Sequence, residues 1–253
     1  MKTSNKLIKE SKADKAFIIG NYIILAFVLV IVLYPIIYVV SASFSSPQAV
    51  IGGKVWLFPV EPTLMGYEAV FKNNQILVGF KNSFIYMICG TFINLIMTML
   101  CAYPLSRKEL VCRNVITGIF VFTMYFSGGL VPTYMLIQKL GLLNTRWAMI
   151  IPAAMSVWNM IIARTYLQNT IPDTLYEAAE IDGCSPIGFF CKVVMPLSKP
   201  ILAVLVLYYG VAHWNTYFSA MIYLNNQDLF PLQLILRNIL IMNNIDPTMM
   251  QDV

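Results

Sequence analysis

A chain of 253 residues that is 58% hydrophobic and only 11% charged cannot be an ordinary soluble domain, in which about 25% of the residues are charged. The composition therefore predicts an all-α fold, a polytopic bundle of transmembrane helices. The formal net charge of +5 is explained by membrane topology, so a nucleic-acid partner is not expected.

The apolar residues form five segments long enough to cross a bilayer, since a helix needs roughly 20 residues to span about 30 Å of hydrocarbon. No acidic residue interrupts them, and contact with membrane lipid is expected along each. The segments are residues 17–43, 83–105, 115–137, 147–167 and 199–224. A basic head, residues 1–16, precedes the first segment, whose apolar stretch is too long for a signal peptide, so we expect an uncleaved span.

Basic residues set the predicted orientation of these spans. They are most frequent in the head, in the turn at residues 106–114 and in the loop at residues 168–198, and loops with such an excess face the cytoplasm. The N-terminus is therefore predicted to be cytoplasmic, and residues 44–82 to form an extracellular loop. Because of its prolines, glycines and aromatic residues, that loop either docks another protein or covers the spans.

The last part of the chain bears on the number of spans. Five spans that start in the cytoplasm must end outside, and residues 225–253 contain no further apolar run of about 18 residues. We expect that a C-terminal sixth span is missing from this chain, and five spans in the intact protein is the alternative.

The sequence lacks the common motifs for catalysis and metal binding. It has no G-x-x-x-x-G-K-[ST] loop for ATP, and neither H-E-x-x-H nor G-x-S-x-G. Its five cysteines lack metal-ligand spacing and are expected to be small buried side chains. We therefore expect a chain that is not an enzyme, with no catalytic residue, metal site or cofactor of its own.

The loop after the fourth span concentrates charge and helix-boundary signals. Pro172 suits the first turn of a helix, which can run to about Asp182. Gly183 suits a left-handed C-terminal cap, and Ser185 followed by Pro186 suits the start of a second helix. The pattern predicts two short helices joined by a tight turn at the glycine.

Such a hairpin is a candidate coupling device. Its small residues allow another backbone to approach closely, and its acids Glu177, Glu180 and Asp182 can meet basic groups of a partner. A rigid helix docked in a groove would pass a partner's movement to the spans behind it. The alternative is a solvated loop that only separates two helices.

The spacing of this loop resembles a known motif. Residues 177–196 read E-A-A-x3-G-x9-I-x-L-P, with Val193 and Met195 in place of Ile and Leu, and this resembles the EAA loop of ABC-importer permeases. Further segments resemble sugar permeases: residues 125–134, 141–145, 181–183, 195–200, 214–215 and 231–233. The chain thus resembles type I ABC-importer permeases of the carbohydrate, maltose-permease-like family, and within it the complex-polysaccharide and oligosaccharide permeases of Gram-positive bacteria.

The resemblance implies a type I ABC-importer permease fold of six spans, five of them visible here, over residues 17–253. It implies a location in a bacterial cell membrane and passage of an oligosaccharide or related sugar by alternating access. Implied partners are a cytoplasmic ABC ATPase that holds ATP and magnesium, a second homologous permease subunit and an extracellular solute-binding lipoprotein. The implied ATPase-coupling residues are Glu177, Ala178, Ala179, Asp182, Gly183 and Pro196.

Polar and aromatic residues within the spans are candidates for contact with the sugar. In the fifth span, Gly210, His213, Trp214 and Tyr217 have the spacing of one helical face, and Asn94 adds a polar group in the second. The alternative is that they pack helices together or anchor them at the membrane surface. The candidate pathway residues are Tyr125, Trp158, Asn159, His213, Trp214, Asn215 and Tyr217.

The third span contains a predicted break. Gly128, Gly129 and Pro132 interrupt an apolar segment, and a backbone break within a membrane is tolerated where protein or water satisfies it. We expect this bend to take part in gating.

Two other functions fit parts of the sequence. An ABC-importer permease for a solute other than a sugar would share the coupling loop. A secondary transporter is the less favoured alternative, because ion-driven carriers usually need ionisable groups in the membrane and no predicted span contains an acid.

Overall fold

The computed structural model describes residues 11–244, and within this range the chain is helical without β-strands, which confirms the predicted all-α fold. The helices are α1 (Lys12–Ser43), α2 (Pro47–Ile51), α3 (Met65–Lys72), α4 (Asn74–Ser106), α5 (Arg113–Tyr125), α6 (Leu130–Lys139), α7 (Trp147–Ile150), α8 (Val157–Thr170), α9 (Asp173–Ile181), α10 (Pro186–Phe189), α11 (Met195–Leu197), α12 (Lys199–Trp214), α13 (Phe218–Tyr223) and α14 (Leu232–Asn244). A π-helical turn, Phe190–Val194, joins α10 to α11, and a 3-10 turn, Gln227–Leu229, precedes α14.

Several of these helices have the length and composition of membrane spans. In the described part of the chain, α1 and α4 are each long and apolar enough to cross a bilayer. Two pairs qualify together as a broken span or a re-entrant loop: α5 with α6, bent by 109°, and Pro186–Leu197 with α12, bent by 78°. Length and composition thus support two to four spans, and the predicted membrane protein is confirmed.

The five predicted spans match these helices unequally. The first two lie inside α1 and α4, but the last three are interrupted, and the fifth ends as a helix at Trp214. The break expected in the third is present, with Gly129 at φ +87° and ψ −179° before α6. In the fourth, residues 151–156 are not helical because Pro152 has no backbone N–H, and the Ala153 carbonyl accepts instead from Asn94 Nδ2 at 2.7 Å.

The chain divides into two compact units after Asn73. In the first, α1 starts with reciprocal caps: Ser11 Oγ accepts from the Asp14 N–H, and the Asp14 carboxylate accepts from the Ser11 N–H. Apolar side chains of α1 are exposed on all sides, which is typical of a helix in lipid. Residues 1–10 of the predicted head lie outside the described residues, and residues 12–16 already belong to α1.

The predicted loop at residues 44–82 is shorter than expected. It holds the short helices α2 and α3, and its start is tied down by Ser41, whose Oγ donates to the Leu57 carbonyl at 2.6 Å. Residues 74–82, however, form the first turns of α4, and this corrects the loop boundary. Their polar residues made them look like loop, but contacts with a later part of the chain bury Gly79 and Asn82.

Those contacts come from residues around the start of α14. Asn82 Nδ2 donates to the carbonyls of Asp228 at 2.7 Å and Phe230 at 3.2 Å, and Ser83 Oγ accepts from the Leu232 N–H at 2.9 Å. Nearby, a Cβ added to Gly79 would overlap a side chain of α14. The glycine is therefore a close-packing position on α4.

The main apolar core lies toward the other end of α4. Buried side chains from α4, α8, α10 and α12 meet there, among them Met99, Leu105, Met160, Phe189 and Leu205. This core fixes the segment after α8, which carries the predicted coupling loop, to the long helix α4.

The cysteines depart from expectation. Cys89, Cys112 and Cys191 are exposed, while Cys101 and Cys184 are half-buried. The prediction of burial is thus wrong for three of them. A thiol is apolar enough to lie on the outer face of a membrane helix such as α4, as Cys89 does.

Candidate coupling hairpin and polar cavity

Two short helices joined by a tight turn follow α8, as the sequence predicts. We name α9, α10 and the turn between them, residues 173–189, the EAA hairpin. Gly183 has φ +71°, the left-handed conformation predicted for it. At the start of α10, Ser185 Oγ accepts from the Gly188 N–H at 3.1 Å.

The ends of α9 differ slightly from the prediction. Pro172 has extended backbone (φ −70°, ψ 151°) and precedes the helix, which begins at Asp173. The proline therefore serves as the N-cap residue, a position with non-helical backbone, and not as part of the first turn. At the other end, the Cys184 N–H donates to the Ala179 carbonyl at 2.9 Å and closes the helix.

The tip of the hairpin is open to contact. Five of the six predicted coupling residues are exposed, namely Glu177, Ala178, Asp182, Gly183 and Pro196, and Ala179 is half-buried against the core. Ile181 and Ile187, on either side of the turn, are 87% and 76% exposed. The tip thus combines carboxylates with an apolar surface, a combination that suits docking to another protein.

Ion pairs hold the base of the hairpin. Lys108 Nζ lies 2.9 Å from Asp173 Oδ2, and Arg107 Nη1 lies 3.6 Å from Asp173 Oδ1. The hydrogen bond from Lys108, with the charges of both residues, holds the pKa of Asp173 below its ordinary value. The loop after α4 is thereby joined to the first turn of α9.

The same junction closes the C-terminal end of α4. Two carbonyls there accept from other helices: Arg164 Nε of α8 donates to Leu105 O of α4 at 2.8 Å, and Arg113 Nη1 of α5 donates to the carbonyl of Arg107, the residue after α4, at 3.3 Å. Cationic groups at a helix C-terminus also offset the negative end of its dipole. Four helices, α4, α5, α8 and α9, are consequently fastened at one point.

The second arm of the hairpin continues into a span. After α10 the chain forms the π-helical turn and α11, which includes Pro196, and then bends by 78° into α12. Phe189 and Val194 of this arm are fully buried, so the bend is supported by the core. A force on the hairpin therefore reaches α12 through the chain itself.

A separate polar cavity of about 280 Å³ lies between α4, α8 and α12. Asn94 is one of its lining residues: its Oδ1 is 3.2 Å from His213 Nε2, and its Nδ2 donates to the Ala153 carbonyl. Tyr209 Oη, which also lines the cavity, lies 2.7 Å from Thr98 Oγ1. Amide, hydroxyl and imidazole groups thus converge on one space within an otherwise apolar bundle.

Comparison with known proteins decides the family. A profile described as binding-protein-dependent transport system inner membrane component matches residues 11–250.

The chain belongs to this family.

Relatives of the permease are found among both sequences and structures. Protein LplC of Bacillus subtilis (strain 168) is 37% identical over 238 residues, covering 94% of the permease and 80% of LplC. The polygalacturonan/rhamnogalacturonan transport system permease protein YtcP of the same organism is 40% identical over 221 residues, covering 87% and 77%. A crystal structure of a bacterial ABC transporter involved in the import of the acidic polysaccharide alginate contains a chain that is 34% identical to the permease, with a TM-score of 0.88. The match covers 95% of the permease and 85% of that chain. These matches confirm the predicted carbohydrate ABC-permease resemblance and fold.

The permease brings only part of the predicted solute pathway together. Asn159 and His213 line the polar cavity, where Asn94 joins them. Trp214 instead packs edge-on against Phe80 and Phe84, at ring distances of 5.5 and 5.4 Å. The other candidates lie outside the cavity: Tyr125 is 74% exposed at the end of α5, Trp158 is 61% exposed, Asn215 ends α12 and Tyr217 precedes α13.

The prediction that four residues of the fifth span share one helical face is wrong for Tyr217. Because α12 ends at Trp214, Tyr217 does not share the face of Gly210 and His213. Asn215 ends the helix by donating its side-chain amide to the Val211 carbonyl at 3.0 Å, a local bond that competes with helix continuation. The periodicity was correct within α12 but extended past its end.

Sequence reasoning missed several residues of the permease's two sites. From the sequence, Arg107 and Lys108 indicate only topology, although their charges complement that of Asp173 on the other side of α8. Tyr209 and Ser156 of the cavity carried no signal apart from polarity. Gly90 is a further case, since a Cβ there would overlap the His213 ring.

Proposed function

We propose that this permease carries oligosaccharides or related sugars into a bacterial cell by alternating access, driven by ATP that a separate ABC ATPase hydrolyses. The observation that carries the proposal is the exposed EAA hairpin, which is tied to α4 at its base and leads into α12. A rigid surface element joined to two spans can move them when its partner moves. The solute class is suggested by relatives named for polygalacturonan or rhamnogalacturonan and for the acidic polysaccharide alginate.

In the coupling step, the ATPase holds the tip of the hairpin. Glu177 and Asp182 offer carboxylates to basic groups, Ala178 and Gly183 leave room for the partner's backbone, and Ile181 provides apolar contact area. The remaining predicted residues act at the base: Ala179 packs α9 against the core, and Pro196 lies in the segment that precedes the bend into α12.

The proposal includes partners and an orientation. The hairpin and the basic N-terminus face the cytoplasm, where the ATPase binds ATP and magnesium. A second homologous permease subunit completes the translocation pathway, and an extracellular solute-binding lipoprotein delivers the sugar. The basic residues around the C-terminal end of α4 support this orientation, because cytoplasmic loops carry such an excess.

We place one solute contact at the polar cavity. Asn94 lies near the middle of α4, and its amide with Asn159 and His213 could bond sugar hydroxyl groups as the solute passes. Tyr125, Trp158, Trp214 and Asn215 remain predictions for this role.

Two alternatives are separated by one set of uptake measurements. A strain that lacks this permease is complemented with the full chain and given labelled oligogalacturonides and neutral oligosaccharides. We expect sugar uptake that requires the chain, is lost when ATP is depleted, and survives a protonophore at constant ATP. Uptake that survives ATP depletion but fails with the ion gradient would identify a secondary transporter. An assembled, ATP-hydrolysing complex that moves no sugar would identify a permease for another solute.

A further inference from the structure

Arg237 is a charged residue in an unusual place. It lies in α14, whose first ten residues are mostly apolar, with Gln233 and Asn238 as the other polar side chains, and its own side chain is half-buried. Within residues 11–241, no carboxylate forms an ion pair with it. An unpaired cation among apolar side chains costs free energy in a membrane protein, so a position of this kind usually serves a function.

The surroundings of Arg237 have the composition of a binding site. A cavity of about 380 Å³ opens beside it, lined by Tyr217, Gln233, Leu236, Arg237, Leu240 and Ile241. The guanidinium carbon lies 6.0 Å from the centre of the Tyr217 ring. The lining therefore offers a cation, an aromatic ring and a side-chain amide beside three aliphatic side chains. A volume of this size is in the range of small-ligand pockets, about 300–1,000 Å³.

The location fits the side from which solute enters. The start of α14 is bonded to the first turns of α4 through Ser83, whereas the EAA hairpin is fastened near Leu105. At 1.5 Å per residue these two positions on α4 are about 33 Å apart, close to the thickness of the hydrocarbon layer. Arg237, one turn and a half into α14, is consequently near the membrane face opposite the hairpin.

The chemistry points to a carboxylate on a sugar. A guanidinium binds a carboxylate through two parallel N–H···O bonds, which a neutral hydroxyl group cannot reproduce. An aromatic ring offers a flat face to a sugar ring, and an amide such as Gln233 can bond its hydroxyl groups. We propose that Tyr217, Gln233 and Arg237 form a subsite for a uronate unit of an acidic oligosaccharide, with Arg237 binding its carboxylate. The inference rests on the proposed sugar import and adds the charge of the substrate to it.

The test uses the complete importer in proteoliposomes, with the ATPase, the second permease and the binding protein present. Uptake of labelled trigalacturonate is compared with uptake of its fully methyl-esterified form, each at a concentration that saturates the binding protein. The maximal rate of uptake then measures the transport step through the permease and not capture of the sugar by the binding protein. The variants are Arg237→Gln, Arg237→Lys and Tyr217→Leu, with Lys139→Gln, an exposed lysine at the end of α6, as the matched control.

We expect Arg237→Gln to lower the maximal rate for trigalacturonate by about tenfold or more, because it removes one partner of a desolvated charge pair. The ester should stay within about twofold, and Arg237→Lys should fall between, since lysine keeps the charge without the two-pronged geometry. The control should leave both rates unchanged. In the wild-type importer, added salt should slow uptake of trigalacturonate more than uptake of its ester, because salt screens the charge pair. This comparison tests the proposal even if a variant does not assemble.

Equal losses for both sugars would overturn the inference, because they would assign Arg237 to packing or to anchoring at lipid headgroups. A wild-type importer that prefers the ester would also overturn it while leaving sugar import intact. If the wild-type assembly hydrolyses ATP but moves neither these two sugars nor the neutral oligosaccharides, the proposed function itself fails.

Discussion

The guanidinium carbon of Arg107 lies 4.1 Å from the centre of the Tyr176 ring. Tyr176 in turn meets Phe189 edge to face, with ring centres 5.3 Å apart, and Phe189 is fully buried. A cation on an aromatic face, followed by an aromatic pair, thus links the loop after α4 to both arms of the EAA hairpin. If an ATPase moves the hairpin, this stack and the ion pairs of Asp173 can pass the movement from α9 to the loop after α4.

Removing the ring should therefore uncouple the hairpin. Tyr176→Ala deletes both contacts and is expected to destabilise this junction by roughly 1–3 kcal/mol. We expect ATP hydrolysis by the assembled importer to continue while sugar moved per ATP falls several-fold. Tyr176→Phe keeps the ring and serves as the control, and a normal transport ratio in the alanine variant would contradict the link.

Gly183 offers a test of the hairpin tip. Its φ of +71° disfavours residues with a Cβ by about 1–2 kcal/mol, but the space around it is empty. Gly183→Asn, which tolerates this conformation, should keep transport near normal. Gly183→Trp should abolish transport and reduce the ATPase that co-purifies with the chain, because the indole would occupy the docking surface, while binding-protein docking persists. Normal uptake with Gly183→Trp in an intact complex would remove the coupling role.

These two residues show which features sequence alone can predict. The left-handed turn at Gly183 and the cap at Ser185 depend on nearest neighbours, and both were predicted correctly. The stack on Tyr176 joins residues far apart in the chain, so the basic turn with Arg107 could be read for topology but not for contact.

The same limit explains the interrupted fourth span and the boundary of α4. Hydropathy predicted a continuous helix over residues 147–167, whereas the turn at Pro152 depends on Asn94 of another helix as a donor to Ala153. Residues 74–82 looked like loop because the contacts of Gly79 with α14 and of Asn82 with the turn before it cannot be inferred from local polarity. The overall fold and the hairpin were therefore predictable from the sequence, and the cavity was predicted only in part, through Asn94, Asn159 and His213.

The ion pairs at the hairpin base predict a dependence on pH. Asp173 has a folded-state pKa below its ordinary value of 3.8, chiefly because of the hydrogen bond from Lys108. A depressed carboxyl pKa stabilises the fold above the unfolded pKa, and this contribution disappears as pH falls through the lowered folded pKa. Asp173→Asn should thus lower the thermal stability of the purified complex at pH 5 to 8 by a constant amount, with a shrinking difference below pH 3.8.

Glu180→Gln is the matched control for that experiment, since Glu180 is an exposed carboxylate of the same helix with no ion pair in the described structure. It should change thermal stability little at any pH. A difference for Asp173→Asn that grows on acidification would show that the pairs with Lys108 and Arg107 do not stabilise the hairpin base.

Two adjacent glycines, Gly128 and Gly129, lie in the bend between α5 and α6, and their backbones differ. Gly129, at φ +87° and ψ −179°, is in a region that only glycine adopts readily, and a Cβ there costs about 1–3 kcal/mol. Gly128 does not have a positive φ, and its Cβ would make an ordinary contact with Pro132 at 3.6 Å. We expect Gly129→Ala to lower both thermal stability and uptake, and Gly128→Ala to leave them near normal. Equal behaviour of the two variants would mean that the 109° bend does not depend on the Gly129 backbone, and normal uptake by both would remove the bend from gating.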